Sequence, residues 1–507
     1  MMMEGGAVNC GGNEDIKKGD REVVVEGQKN IGGGGGSCNE DKVSDHEPLV
    51  MAVAASAGLA LGYPVKHRAL SGSESVQCQN HKLVSSTINF PRVRCQAHHH
   101  NNHALSSPIY GNPCHKVATV DVNLGENHHY PIYIGSGVIS SPYYLQKHVD
   151  SNMTVLIVTN TTVAPLYLDK VVHAFTFGNP NILVETFVLP EGEVYKTRST
   201  VVEICEKINT SQMYIGSTIV ALGGGVICDL VGHAAVTYNR RYPLNFIHIP
   251  TTLMAQVDLP INGQLSVHFE TGKHMLSVPY KPQCVLIDTN TLNTLPNREF
   301  NQGIVQFAKY GLTRDAEFFE WLEYSITGVL KRHPRVMAYG LERSCKIKAE
   351  VVSQDEKEDG LMETLTLGHN FAHAIDAWFS NGLWLHGETI AVGMVMAVDL
   401  SFRLGWIEES VMNRIIDIFF KARLPTIPPE GTMTVDMFHW HMGVQKAVAA
   451  DGALKLALLK GPLGNCVFTT DYNSKALHDT VYDFCEGLHI KNQKKYNTVT
   501  VVKGKKL

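Results

Sequence analysis

The segment "LGHNFAHAIDAWFSNGLWLHGE" carries three histidines at spacings that could do chemistry. His369 and His373 stand four residues apart, so on a helix both imidazoles project from one face. His386 follows a turn and opens the next apolar-periodic stretch, with Glu388 two residues on. Imidazoles on adjacent helix ends form a metal-ligating pattern with an added acid/base group. Ordinary buried or surface histidines would show the same spacing. A second stretch, "GIVQFAKYG", sets Gln306, Lys309 and Tyr310 along one helix face. Lys273, Lys309, Lys348 and Lys446 sit among apolar or glycine-rich neighbours rather than in charge runs. Converging lysines suit a substrate bearing phosphate and carboxylate, although each taken singly reads as a solvated surface residue. Finally, "ALGGGVICDLVG" puts three glycines between a strand and a helix. There, backbone N–H groups can approach a pyrophosphate and the helix dipole favours it. The GxGxxG fingerprint is absent, and a structural turn would look alike.

The elements that must position these residues fall into two kinds. "TVLIVTNTTVAPLYL", "NILVETFVLPEGEVYK", "STIVALGGGVICDLVG", "LNFIHIPTTLMAQVD" and "CVLIDTNTLNTLP" each begin with a short β-branched run and end it in Gly, Thr, Asn or Asp. Helical stretches lie between them. That alternation predicts a mostly parallel sheet with helices on its faces. Ligands of such sheets bind beyond the carboxyl ends of the strands, which gathers Asn160, Gly223, Gly224, Gly225, Thr251 and Thr252 where a nucleotide would sit. After about Pro296 the apolar period becomes 3.6 residues and that half reads as all-helical. The site is expected in the cleft between the α/β domain and the helical one.

Composition bounds the function. The 507 residues leave room for two or three domains. Apolar residues make up 44% and charged ones 18%, ample for a large core. A net charge of −5 offers no basic field for nucleic acid. No apolar run reaches the roughly eighteen residues a membrane helix needs. Eleven scattered cysteines without a CxxC pair fit a reducing compartment. Residues 1–50 are polar and include "GGGGG", a composition that cannot bury enough apolar surface to order itself. From Met51 the chain is rich in Ala, Ser and basic residues, and Glu74 is the only acid before Lys116. This is the composition of an organelle transit peptide, with translation starting at Met51 as one hypothesis. The tract "AHHHNNH" reads as a low-complexity remnant near the processing site.

From about Val117 to Cys485 the ordered motifs resemble the 3-dehydroquinate synthase family, in its plant plastid form. They include "YPIYIGSGVI", "VTNTTVAPLYLDK", "LPEGEVYK", "ALGGGVICDL", "IPTTLMAQVD", "RDAEFFEW", "LGHNFAHAID", "WLHGE" and "LLKGPLGNCVFT". The resemblance implies a leader over 1–115 with a plastid transit peptide at 51–115. A mostly parallel, NAD-binding α/β domain over 116–296, a helical metal- and substrate-binding domain over 297–490 and a tail over 491–507 would follow. It implies an NAD- and zinc-dependent lyase (cobalt is another suitable metal) of the shikimate pathway in the plastid stroma. Such an enzyme cyclises a seven-carbon keto-acid sugar phosphate with loss of phosphate, as a homodimer. NAD would contact Asn160, Glu193, Lys196, Gly224, Gly225, Asp229, Thr251, Thr252 and Thr294. Substrate would meet Asp258, Lys273, Lys309, Lys348, Lys446 and either Arg240 or Arg241. Glu358 and His373 fall on proton-transfer positions, and residue 306, His369 and His386 on the zinc ligands.

The chain departs from the family pattern in the same cleft. The family's glutamate ligand is Gln306 here, an amide that brings no charge to offset the dication, so affinity should fall. Its Gly-Gly-Lys is Asn262, Gly263 and Gln264, Pro260 stiffens that loop, and His274 replaces an asparagine. Met362 stands for an arginine, Thr366 for an asparagine, Gln445 for an aspartate, Ala447 for a lysine and Cys228 for a glycine. Cations are thus lost at 264, 362 and 447, and a lost charge-assisted hydrogen bond costs about 1.5–3 kcal/mol. Little or no dehydroquinate synthase turnover is expected. A cyclase of the same fold with another substrate, and a non-catalytic family member acting as a partner or regulator, are the competing expectations.

Overall fold

The computed structural model describes residues 117–123, 129–239, 244–258, 261, 264–269, 272–279, 282–355, 360–378, 384–428, 433–443 and 453–486, without the side chains of 239 and 264–279. Eleven strands and thirteen α-helices are traced among them. The first part alternates: β1 (Ala118–Asn123), β2 (His129–Gly135), α1 (Pro142–Gln146), β3 (Thr154–Asn160), α2 (Asp169–Thr176), β4 (Leu183–Leu189), α3 (Arg198–Thr210), β5 (Thr218–Gly223), α4 (Gly225–Asn239), β6 (Asn245–Pro250) and α5 (Leu253–Asp258). A hairpin, β7 (Gln264–Phe269) and β8 (Gly272–Pro279), precedes β9 (Cys284–Asp288). Helices then dominate: α6 (Asn297–Thr313), α7 (Ala316–Leu330), α8 (Pro334–Gln354), α9 (His369–Trp378), α10 (His386–Arg403), α11 (Glu409–Lys421), α12 (Val435–Gly443) and α13 (Ser474–Cys485). This half also contains a short antiparallel pair, β10 (Leu456–Leu459) and β11 (Cys466–Thr469), which the 3.6-residue period did not announce.

Seven strands form one sheet in the order β1-β2-β9-β6-β5-β3-β4, parallel at every pairing except β1 with β2. Side chains alternate across it, as the two-residue strand period requires. Val155, Ile157, Val220, Leu222, Ile247, Ile249 and Leu286 enter a core beneath α1 and α2. Leu156, Val158, Ile219, Ala221 and Phe246 enter another with residues of α3 and α4. Burial on both faces explains why these strands read as continuous apolar runs. The remaining apolar positions of β1, β2 and β9 (Val120, Ile132, Ile134, Val285 and Ile287) join a third cluster built mainly from α6 to α13. The helical half is therefore fused to the sheet through a common core.

Candidate active site

Parallel pairing brings the strand ends into register. Asn160 pairs with Leu189, and Gly223 with Pro250. Thr251 N–H then donates to Gly223 O at 2.9 Å, which sets the glycine turn beside the next strand end. A Cβ on Gly224 would lie 2.9 Å from the Thr252 methyl, so only glycine fits this approach. Gly224 and Gly225 remain partly exposed among buried neighbours, leaving the first turn of α4 accessible. Lys196, buried after β4, forms a 2.5 Å ion pair with Asp229 in the first turns of α4, and its ammonium lies 3.8 Å from Glu193. Burial pulls the Lys196 amine down, but the Asp229 and Glu193 carboxylates more than reverse this and hold it above the ordinary lysine value. Asn160 Oδ1 accepts from Val163 N–H at 2.8 Å. The Thr294 hydroxyl bonds Tyr167 and donates to Thr291 O. Asn160, Gly224, Gly225, Thr251 and Thr252 thus lie at strand ends, Lys196 pairs with Asp229 in α4, and Glu193 and Thr294 follow β4 and β9 in the chain.

A charged cluster with two buried lysines and a half-buried carboxylate lies next along the chain. Asp258 ends α5, where Lys348 of α8 donates to its Oδ1 at 2.9 Å and also to its backbone oxygen. The Tyr310 hydroxyl of α6 reaches the same carboxylate oxygen at 3.4 Å. Burial would raise the Asp258 carboxyl, but Lys348 and Lys309 prevail and hold it far below the usual carboxylate range. Burial brings the Lys309 amine down to about 8; Asp258 opposes this shift and Lys348 adds to it. Lys309 is 3% exposed and Lys348 8%, so both charges are withdrawn from water.

The three histidines meet at the start of α9 and α10. Ring centroids lie 5.9 Å apart for His369 and His373, 6.5 Å for His369 and His386, and 6.1 Å for His373 and His386. Burial and the nearby Lys309 keep His369 neutral, well below its ordinary value. His373 is brought down to about 4 by desolvation of its ring and by His386, although the residue as a whole is exposed. Gln306 lies one helical turn from Gln302 and three residues from Lys309. Gln302 Oε1 accepts from Gly387 N–H at 3.0 Å, beside His386, and Lys309 acts electrostatically on His369. That face of α6 therefore looks onto the histidines. Gln306 is fully buried, its Nε2 lies 3.0 Å from the Met254 sulfur, and its Oε1 has no hydrogen-bond partner. His369 Nδ1 is equally unpartnered. Each is a buried polar atom of a type that can ligate a divalent metal. Among the described residues no group of three His, Cys, Asp or Glu side chains converges as a metal site.

Other expected residues are placed differently. Glu388 is bound to structure: its carboxylate accepts from Leu385 N–H at 2.8 Å and receives both arms of Arg298 at 2.7 Å. Met362 packs against the core, and the Thr366 hydroxyl turns back onto Glu363 O at 2.5 Å. Glu358, Lys446, Arg240 and Arg241 lie outside the described residues, as do Asn262, Gly263, Pro260, Gln445, Ala447 and the leader with its histidine tract. Lys273, His274 and Gln264 fall on described strands without described side chains.

Several positioning residues escaped the sequence reading. Gln256 Nε2 donates to Pro250 O, Asp288 O and the Thr291 hydroxyl, tying two strand ends together. Asp288 accepts from the N–H groups of Gly137, Ile139 and Asn290. Asp376 Oδ2 lies 2.8 Å from His386 Nδ1, and its Oδ1 accepts from the Thr389 hydroxyl at 2.8 Å. For Asp376 a signal existed, since it follows His369 by seven residues and His373 by three on one helix face.

Comparison with known proteins identifies the family. Residues 186–302 match the 3-dehydroquinate synthase N-terminal family model and residues 303–448 the C-terminal one. The chloroplastic 3-dehydroquinate synthase of Arabidopsis thaliana is 51% identical over 402 residues, covering 79% of this chain and 89% of the relative. That of Solanum lycopersicum is 54% identical over 365 residues, 72% and 81% of the two chains. Among solved structures, the 2-epi-5-epi-valiolone synthase of Streptomyces hygroscopicus, with NAD+ and Zn2+ bound, shares the fold at TM-score 0.61 and 23% identity, covering 71% of this chain and 98% of that one. With two family models meeting end to end across the sheet and the helical half, the chain belongs to the 3-dehydroquinate synthase family.

Proposed function

We propose that the chain is a phosphate-eliminating lyase of the 3-dehydroquinate synthase type, acting on a seven-carbon keto-acid sugar phosphate with reduced turnover. The observation that carries this reading is the adjacency of the Asp258–Lys348–Lys309 cluster to the His369–His373–His386 group, in a chain of this family. When bound, NAD would supply reversible hydride transfer and zinc would supply polarisation of the oxygen concerned. Gln306, His369 and His386 would hold the metal. Asn160, Glu193, Lys196, Gly224, Gly225, Asp229, Thr251, Thr252 and Thr294 hold the nucleotide. Lys309 and Lys348, oriented by Asp258, present positive charge to the substrate anions, joined by Lys273 and Lys446. His373, neutral at physiological pH, accepts a proton, and Glu358 is the second proton-transfer group.

Turnover is reduced because cations are absent at 264, 362 and 447, and because the ligand at 306 is neutral. Met362 is partly buried and packs against the apolar core. The same observation favours a second reading, a cyclase whose substrate lacks the carboxylate. Protein spanning residues 116–507, given NAD and zinc, should release phosphate from the heptulosonate phosphate at well below an ordinary enzyme rate. A normal rate would refute the impairment. Release only from a carboxylate-free heptulose phosphate would establish the second reading, and absence of both activities with NAD-only or no cofactor binding would leave a non-catalytic family member.

The relatives named chloroplastic support a plastid destination directed by residues 51–115. A homodimer, and a domain division at about residue 296, complete the proposal.

A further inference from the structure

Two neutral imidazoles and an amide bring no charge to a dication, so the question is what offsets it. Asp376 lies 2.8 Å from His386 Nδ1, and Thr389, fully buried, anchors its other oxygen at 2.8 Å. The same Thr389 hydroxyl lies 2.8 Å from His386 O, so its one proton is shared between the two acceptors at the start of α10. A carboxylate at Nδ1 fixes the imidazole's orientation, keeps the proton on Nδ1 and directs the ring's lone pair to Nε2. It also makes that lone pair a better donor and places a negative charge one ring-width from the metal position. Gln306 is held by its amide nitrogen on the Met254 sulfur, which leaves its oxygen free to act as the donor.

We propose that Asp376 is a positioning residue for the metal site, supplying through His386 the negative charge that Gln306 does not bring. The inference rests on the metal-site assignment proposed above. It makes a specific demand: Asp376 should matter more with Gln at 306 than with Glu.

The test is zinc affinity by chelator competition, with the Co2+ absorption spectrum reporting ligand field, on the full chain. Four proteins are compared: wild type, Asp376→Asn, Gln306→Glu and the double variant. Circular dichroism and urea midpoints verify folding. Asp376→Asn should weaken zinc about 10–100-fold in the Gln306 background and shift the Co2+ bands. In the Gln306→Glu background the loss should be several-fold smaller. Thr389→Val, which keeps the carboxylate but removes its anchor, should fall between wild type and Asp376→Asn, and it stands in if the latter does not fold. Equal losses in both backgrounds, or unchanged affinity in Asp376→Asn and Thr389→Val, would overturn the proposal. Zinc binding by Gln306→Glu but not by wild type would overturn it while leaving the metal-site assignment intact. Failure of Gln306→Glu itself to bind zinc would overturn both.

Discussion

At the scale of single residues, the site is organised by burying charge and then answering it. Lys309 and Lys348 are both withdrawn from water around one carboxylate, and the sharing is unequal. Lys348 bonds Asp258 directly, whereas Lys309 is the more completely buried of the two and its amine falls to about 8. Because that value lies below the ordinary lysine one, the folded protein binds fewer protons than the unfolded chain at pH values between the two. Stability therefore rises with pH across that window, as the cost of burying a charge is relieved. Function moves the other way. Lys309 carries its charge below about pH 8 and loses it above. The affinity for inorganic phosphate, measured by calorimetry, should fall severalfold as pH rises through that value. Lys309→Met should bind weakly at all pH values and show no such inflection. The sequence marked Lys309 and Lys348 as oddly placed, but it could not show that Asp258 lies between them, since the three come from three separate helices.

Individual helices set distances that the chemistry needs. The α9–α10 crossing fixes His369, His373 and Asp376 against His386 and Thr389, and it is made by glycines. Gly368 has φ +80, and a Cβ there would meet Met394 N at 2.3 Å. A Cβ on Gly393 would meet Gly368 O at 2.2 Å. The backbones thus touch directly. Gly393→Ala should cost about 1–3 kcal/mol in urea unfolding and lower zinc affinity by separating the histidines. Gly443→Ala, whose Cβ would meet nothing within 4 Å, is the matched control and should be near neutral. Helix α9 and the start of α10 were legible from spacing and turn residues, because i, i+4 periodicity is a local property. The β7–β8 and β10–β11 pairs were not, since short strands carry little periodic signal and owe their existence to pairing partners.

On the scale of the molecule, the two architectures share one hydrophobic cluster. Val120, Ile132, Ile134, Val285 and Ile287 of the sheet are buried among residues of α6 to α13. Residues 117–296 produced alone would expose these side chains to water. They should bind a hydrophobic dye and show weak near-ultraviolet dichroism, whereas 117–507 should unfold cooperatively. A separately folding, dye-silent 117–296 would contradict the common core.

What the sequence determined by itself is the main parallel strands and the helical half, the strand-end residues and the family. These follow from periodicity, turn chemistry and ordered motifs, all written in short windows of chain. What only the tertiary structure decided is which partners answer each buried polar group: Asp258 between two lysines, Glu388 given to Arg298 and a helix start, Asp376 behind His386, and Gln306 with its nitrogen on Met254 and its oxygen unpartnered. Those pairings join residues up to about ninety positions apart, and a buried polar atom's energy depends on what faces it in space rather than on what precedes it in the chain.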